Sequence, residues 1–389
     1  MSKYLEIIKK NAMLIILVLV YIFFTITTRG SMFQAMNFNA LITQNAYVFI
    51  LATGMLMCML TGGNIDLSCG SFVCLLGAFG GIFMVVKGWS SGVSILLMLL
   101  IGIVYGAVLG FLIAYVDVPP WIATLAGYLA FRGWGTALLS ANSDTGSISP
   151  MPESFLKLFS GKVFSTPIGQ LNIVCLLFGI IASVIVVVTM VMGRANKIKK
   201  GYEAETLTSV IVKAALSVAA IILITYKLAM AGGIPTVLIW VVVIVLIYSF
   251  ITAKTTLGRY FYTIGGNAEA TRLSGVDTRK IMFFAYLNMA VLTVITSYIV
   301  MARFQAANST AGTNYEMDAI AACVVGGVSA YGGAGSVFGM VIGATLIGVI
   351  NLGMSLMGVD ANWQKVVKGV VLLAAVVFDI LAAKKNATK

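Results

Sequence analysis

Histidine is missing from this sequence altogether. Its absence removes the commonest general base, the commonest metal ligand and the usual proton shuttle together. Charge is scarce as well: Asp, Glu, Lys and Arg make up 10% of the 389 residues, where about 25% is usual in soluble domains. The five cysteines, Cys58, Cys69, Cys74, Cys175 and Cys323, form no C-x-x-C pair and lie in or beside apolar runs. They read as small buried apolar side chains and not as metal ligands. No G-x-x-x-x-G-K-[ST] phosphate loop occurs, since Gly161-Lys162 is followed by Val163. No catalytic residue, metal site or cofactor of the chain's own is expected. No clustered acids mark a membrane enzyme acting on lipid or polyprenyl substrates.

What is present in excess is apolar surface. Hydrophobic residues are 60% of the chain, against roughly 45–50% in soluble domains, and the mean hydropathy is +1.03. A soluble fold of this length has too much surface to be covered by so few polar residues, whereas lipid solvates it. The net charge of +12 is gathered between apolar runs: Lys9-Lys10, Arg194 with Lys197, Lys199 and Lys200, Arg272 with Arg279 and Lys280, and Lys384-Lys385. That is the positive-inside pattern of a multi-pass membrane protein. No single basic stripe points to a nucleic-acid partner.

Runs long enough to cross a bilayer are predicted at 12–28, 41–61, 66–86, 93–116, 121–140, 171–192, 207–230, 235–253, 281–302, 319–334, 336–357 and 363–383. The fold class is all-α: one transmembrane helical bundle over 1–389, with about 10–12 membrane segments. The short glycine-rich runs 66–86 and 319–334 are candidates for broken or re-entrant helices. An even number of crossings and the Lys-rich tail place both termini in the cytoplasm. The first run, preceded by Lys3, Lys9 and Lys10, has no cleavage site and reads as an uncleaved span. Segment 142–170 then falls outside as an irregular loop, and 254–280 inside as a basic one. Gly102, Gly106 and Gly110, and likewise Gly335, Gly339 and Gly343, fall four apart and predict close helix packing.

Two stretches carry the chemistry. The first runs from Gly62 to Ser71 and places Asn64, Asp66 and Ser68 between two spans. Ionisable groups at membrane depth are costly and are satisfied, cavity-facing or functional. A second glycine-interrupted stretch lies at 326–333, and a pair of broken segments points to a transport pathway. Asp66 is thus either a pathway residue or a helix cap. Arg132, inside an apolar run, contacts substrate, pairs with Asp66 or Asp144, or reaches the interface. Asn351 and Trp363 offer the hydrogen-bonding and aromatic groups that sugars need, although the interfacial aromatic belt also accounts for Trp363.

The second stretch is the loop from Leu257 to Gly275. Asn267 is a good N-cap, Glu269 complements a helix N-terminus, and Gly275 is a good stop. These predict a two-turn helix over 268–274, built to dock a cytoplasmic partner, with Gly266, Asn267, Glu269, Ala270, Arg272 and Gly275 as its coupling residues.

At these residues the sequence resembles a known family. Gly63-Asn64-Ile65-Asp66-Leu67-Ser68, Thr124 to Gly127 with Phe131-Arg132-Gly133, Ile264-Gly265-Gly266-Asn267 through Gly275, and Asp318 through Gly327 are similar to the ribose, xylose, arabinose and galactose permeases of ABC importers. The resemblance covers nearly the whole chain, from Ala40 to Asp379. The extra pair of spans between Arg194 and Lys254 resembles the longer xylose and multiple-sugar branch. Residues 269–275 resemble the E-A-A-x-x-x-G coupling loop, with Thr271 in place of its second alanine. The resemblance implies a homodimer in a bacterial plasma membrane. It also implies a separate ATPase that holds ATP and magnesium, and an external sugar-binding protein. The function it implies is import of a monosaccharide by alternating access. The competing reading is an ion-coupled secondary sugar transporter, for which Asp66 is the titrating candidate.

Overall fold

The computed structural model describes residues 12–203 and 206–387. Lys9 and Lys10 lie outside these residues, as do the side chains of Asp379, Lys384 and Lys385. Most of the described chain is helical. In chain order the helices are α1 (Ala12–Thr27), α2 (Ala35–Leu60), α3 (Cys69–Gly81, continued by a π turn Ile82–Val86), α4 (Ser91–Ala114), α5 (Pro120–Asn142), α6 (Glu153–Phe159), α7 (Ile173–Lys199), α8 (Leu207–Met230), α9 (Thr236–Lys254), α10 (Thr256–Gly266), α11 (Ala268–Leu273), α12 (Thr278–Phe304), α13 (Tyr315–Val325), α14 (Val337–Leu356) and α15 (Ala361–Ala387). Four two-residue strands complete it: β1 (Ser147–Ile148), β2 (Lys162–Val163), β3 (Ile234–Pro235) and β4 (Ala307–Asn308). Strands β1 and β4 pair antiparallel with Ser147 opposite Asn308, and β2 and β3 with Lys162 opposite Pro235.

The helix starts are chemically marked. A side-chain oxygen of Ser90, Asn172, Thr206, Thr255, Asn267, Asp277 or Ser336 accepts from a backbone N–H in the first turn of α4, α7, α8, α10, α11, α12 or α14. Each satisfies one of the donors a helix leaves free at its N-terminus. Pro119-Pro120 opens α5, where the missing N–H costs nothing.

The chain divides into two compact units. The larger holds the residues up to Met32, Leu41–Ser160 and Val237 onward; the smaller holds Phe33–Ala40 and Gly161–Thr236. In the larger unit α2 is the axis: every residue from Ile50 to Leu60 is buried, so apolar residues occur on all its faces. Helix α4 lies along α12 through its glycines. A Cβ at Gly102 would strike Val294, one at Gly106 Ala290, and one at Gly110 the carbonyl of Phe283. These are the close approaches that the four-residue spacing predicted. Gly339 and Gly343 play the same part against the backbone of Ala322 and Gly326. In the smaller unit α7 and α8 form a hairpin in which Gly179 admits the side chain of Thr225. Their apolar side chains otherwise face outward; only 17% and 6% of their most apolar windows are buried. Such surfaces are stable only in lipid.

Among the described residues, eight helices are long and apolar enough to cross a membrane. The protein is a polytopic helical membrane protein, as the composition required. Of the two glycine-rich runs expected as broken or re-entrant, 319–334 is broken: its helix stops at Val325 and irregular chain follows to Ser336. The run 66–86 becomes helical only at Cys69. Further differences are local. The loop 142–170 contains α6, and the loop 254–280 contains the eleven-residue α10 as well as the expected short helix, which spans 268–273.

Candidate functional site

Two broken segments meet inside the larger unit. In the first, α2 ends at Leu60 and the chain turns through Gly62 and Gly63, both with positive φ (119° and 73°). It then doubles back along α2, so that the Asp66 N–H lies 3.5 Å from Met55 Sδ. Asn64 Nδ2 donates to the carbonyl of Thr61 at 3.2 Å. Asp66 is buried, and its Oδ1 accepts from the Ser68 N–H at 2.8 Å and from Ser68 Oγ at 2.6 Å. With that proton committed, Tyr105 OH donates to Ser68 Oγ at 2.6 Å. The chain Tyr105–Ser68–Asp66 fixes the entry into α3. The carboxylate thus serves its own turn, and its pairing with Arg132 is not formed.

The second segment leaves α12 at Gln305, which is left-handed, and runs through the two-residue strand β4 and a series of turns to Asn314 before α13 begins. Non-helical backbone inside a helical bundle has carbonyls with no helical partner. Arg132 supplies the donors: its Nη1 reaches the carbonyl oxygens of Ser309 at 3.1 Å and Ala311 at 2.8 Å. The expected pairing of Arg132 with Asp66 or Asp144 therefore gives way to backbone carbonyls. Charge-assisted bonds of this kind contribute about 1.5–3 kcal/mol each.

The two helix starts face each other. A Cβ on Gly70 would run into the carbonyl of Gly312 and the carboxylate of Glu316, and a Cβ on Gly312 into the carbonyl of Gly70. Buried Glu316 thus places its Oε2 at the first turn of α3, the positive end of that helix dipole. Helix α13, eleven residues long, rises about 16 Å, which is roughly half a bilayer core.

At their other ends the broken segments join a third element. Gly333 N–H donates to the carbonyl of Leu60 at 3.1 Å. Gly63 abuts the backbone of Ala330, and Gly265 at the end of α10 abuts both Leu60 and Gly333 with no room for a side chain. Tyr262 OH on α10 donates to the carbonyl of Gly335 at 3.1 Å. Beyond this junction comes α11. Asn267 Oδ1 accepts from the Ala270 N–H at 2.9 Å, and Gly275 takes φ 90° at the exit, as their residue types predicted. Thr271 is buried while Glu269 and Arg272 are exposed and joined by two bonds of 3.0 and 2.6 Å. The hydrogen bond from Arg272 holds the Glu269 carboxyl below its usual range.

The remaining expected residues lie apart. Trp363 is exposed at the start of α15. Asn351 sits on α14 and lines a cavity of about 170 Å³. Residues the sequence reading did not single out as site residues include Glu316, Asp318, Tyr47 and Lys368. Lys368 Nζ lies 2.9 Å from Asp318 Oδ1, Tyr47 OH donates to Asp318 Oδ2 at 2.5 Å, and the rings of Tyr47 and Tyr315 stack at 3.7 Å. Two opposite charges inside apolar runs, Asp318 and Lys368, were the available signal. No group of side chains among the described residues has the makings of a metal site.

Comparison with known proteins agrees over nearly the full length. The chain is 37% identical to the xylose transport system permease protein XylH of Haemophilus influenzae, covering 96% of each. It is 33% identical to XylH of Escherichia coli K12, over 96% of this chain and 92% of that one. It is 30% identical to the ribose import permease protein RbsC of the same organism, over 95% and 93%. No solved structure matches it. A family model described as the permease component of branched-chain amino acid transport systems matches residues 37–376, and the chain belongs to that family of transport permeases.

Proposed function

We propose that this chain is the membrane-spanning subunit of an ATP-driven importer of a monosaccharide, xylose or a related pentose or hexose. The names of the relatives supply the substrate class. The absence of a phosphate loop supports a separate ATPase subunit as the holder of ATP and magnesium. A second copy of the permease and an external sugar-binding protein complete the assembly in a bacterial plasma membrane. The end of the larger unit carrying α10 and α11 faces the cytoplasm, as do both termini, because Lys254, Arg259, Arg272, Arg279 and Lys280 gather there.

The observation that carries the reading is the seating of α10 and α11. The capped helix α11 offers a polar face with Glu269 and Arg272 to a docked partner. Gly265, one residue before the Gly266–Asn267 turn, touches the ends of both broken segments. ATPase closure then moves α11, and the motion reaches Leu60 and Gly333 directly. Asn64, Asp66, Ser68, Arg132, Asn351 and Trp363 are the proposed pathway residues, with Asp66 and Arg132 fixing the broken segments. The test is co-purification with the chromosomally neighbouring ATPase through detergent gel filtration. Retention by the wild type and loss in Glu269→Lys supports the docking role. Protonophore-sensitive sugar uptake without an ATPase would replace this reading by ion-coupled transport.

A further inference from the structure

The cavity lined by Asn351 has a composition that the docking and hinge residues do not explain. It lies between α2, α12, α13 and α14, all in the larger unit, and its polar lining is Gln44, Asn45, Arg303, Asn351 and the stacked pair Tyr47 and Tyr315. Asn45 is 4% exposed and held in place. Its Nδ2 donates to the carbonyl of Ala344 at 2.7 Å, and Gly348, one turn on, has no room for a Cβ beside the Asn45 amide. The Asn45 Oδ1 is then left buried without a donor, and so is the Asn351 Oδ1. An unmet buried acceptor costs about 1–3 kcal/mol. Arg303 makes one long contact here, Nη1 to the carbonyl of Gln44 at 3.5 Å.

We propose that this cavity is a transient binding site for a neutral polyhydroxylated ligand, a single monosaccharide ring. The proposal rests on the importer reading and deepens it. Two amide oxygens need O–H or N–H donors, while a guanidinium needs acceptors; a sugar hydroxyl is both. An anion would satisfy Arg303 and leave the two amide oxygens facing negative charge. A lipid chain would leave all three unmet. Asp318, near the tyrosine stack, is already compensated by Lys368 and Tyr47, so it places no demand for a cation. The volume of about 170 Å³ is close to the roughly 150 Å³ of a cavity that admits one benzene ring, the scale of one monosaccharide ring. The Tyr47–Tyr315 stack gives it a stiff aromatic wall.

The native cysteines are all buried, so Asn351→Cys gives a single accessible thiol. The complete importer, with its ATPase and binding protein, is reconstituted in liposomes and labelled with a small methanethiosulfonate reagent. Millimolar D-xylose or D-ribose is expected to slow labelling, and sucrose, too large for the cavity, is not. Loss of one hydrogen bond in Asn351→Leu is expected to reduce xylose uptake about tenfold, with partial rescue in Asn351→Gln. Equal labelling with and without monosaccharide, no labelling at all, or full uptake by Asn351→Leu overturns the site. If Asn351→Leu fails to assemble, the labelling decides alone. A wild-type complex that takes up neither sugar refutes the importer reading itself, whereas uptake by the wild type with an unprotected thiol refutes only this site.

Discussion

Replacing Lys368 by methionine keeps the length of the side chain and removes its charge. In the native protein the ammonium stands 2.9 Å from Asp318 Oδ1, with the lysine side chain 25% and the aspartate 4% exposed. The aspartate is therefore almost wholly withdrawn from water, and after the substitution its one remaining partner is Tyr47 OH. An uncompensated buried charge of this kind costs about 3–5 kcal/mol. Removing both charges, in Lys368→Met with Asp318→Asn, deletes the penalty with its cause and is expected to recover most of that loss. The coupling between the two sites is then about 2–3 kcal/mol in a double-mutant cycle. Thermal denaturation of the purified protein, followed by loss of the monodisperse gel-filtration peak, ranks the four variants. A loss below about 1 kcal/mol for Lys368→Met, or strict additivity in the double variant, would refute the claim that this pair holds α15 against α13.

Other expectations follow from the junction and the docking helix. In Gly265→Ala the new methyl would meet the carbonyl of Leu60 and the backbone of Gly333. Overpacking against backbone costs about 1–3 kcal/mol, so sugar uptake per ATP hydrolysed should fall, while Gly193→Ala, where nothing lies within 4 Å, should match the wild type. The Glu269–Arg272 bond depresses the Glu269 carboxyl, so its contribution is complete above the unfolded value of about 4.3 and is lost as pH falls through the lower folded value. ATPase retention measured from about pH 8 to about pH 5.5 should not vary on account of this pair, and a decline within that window would contradict the assignment.

Much of the fold could be read from the sequence because lipid imposes a simple rule: each crossing must be long and apolar. The helix α11 was equally legible, since Asn267, Glu269 and Gly275 act locally through the first and last turns. What escaped were features whose partners lie far along the chain. Lys368 and Asp318 are fifty positions apart, and no local pattern joins them. Arg132 was expected to seek a carboxylate, but the acceptors it found are carbonyls of Ser309 and Ala311, which leave no trace in residue type. Helix α10 was hidden because Gly265-Gly266 reads as loop, whereas Gly265 is required by the closeness of Leu60 and Gly333.

The contact among Leu60, Gly265 and Gly333 has a mechanical consequence. Side chains are compliant: a rotamer shift absorbs small displacements before they reach the next element. Here three main chains touch with no side chain between them, so the joint has no slack, and a push at its outer side arrives undiminished at the roots of both broken segments.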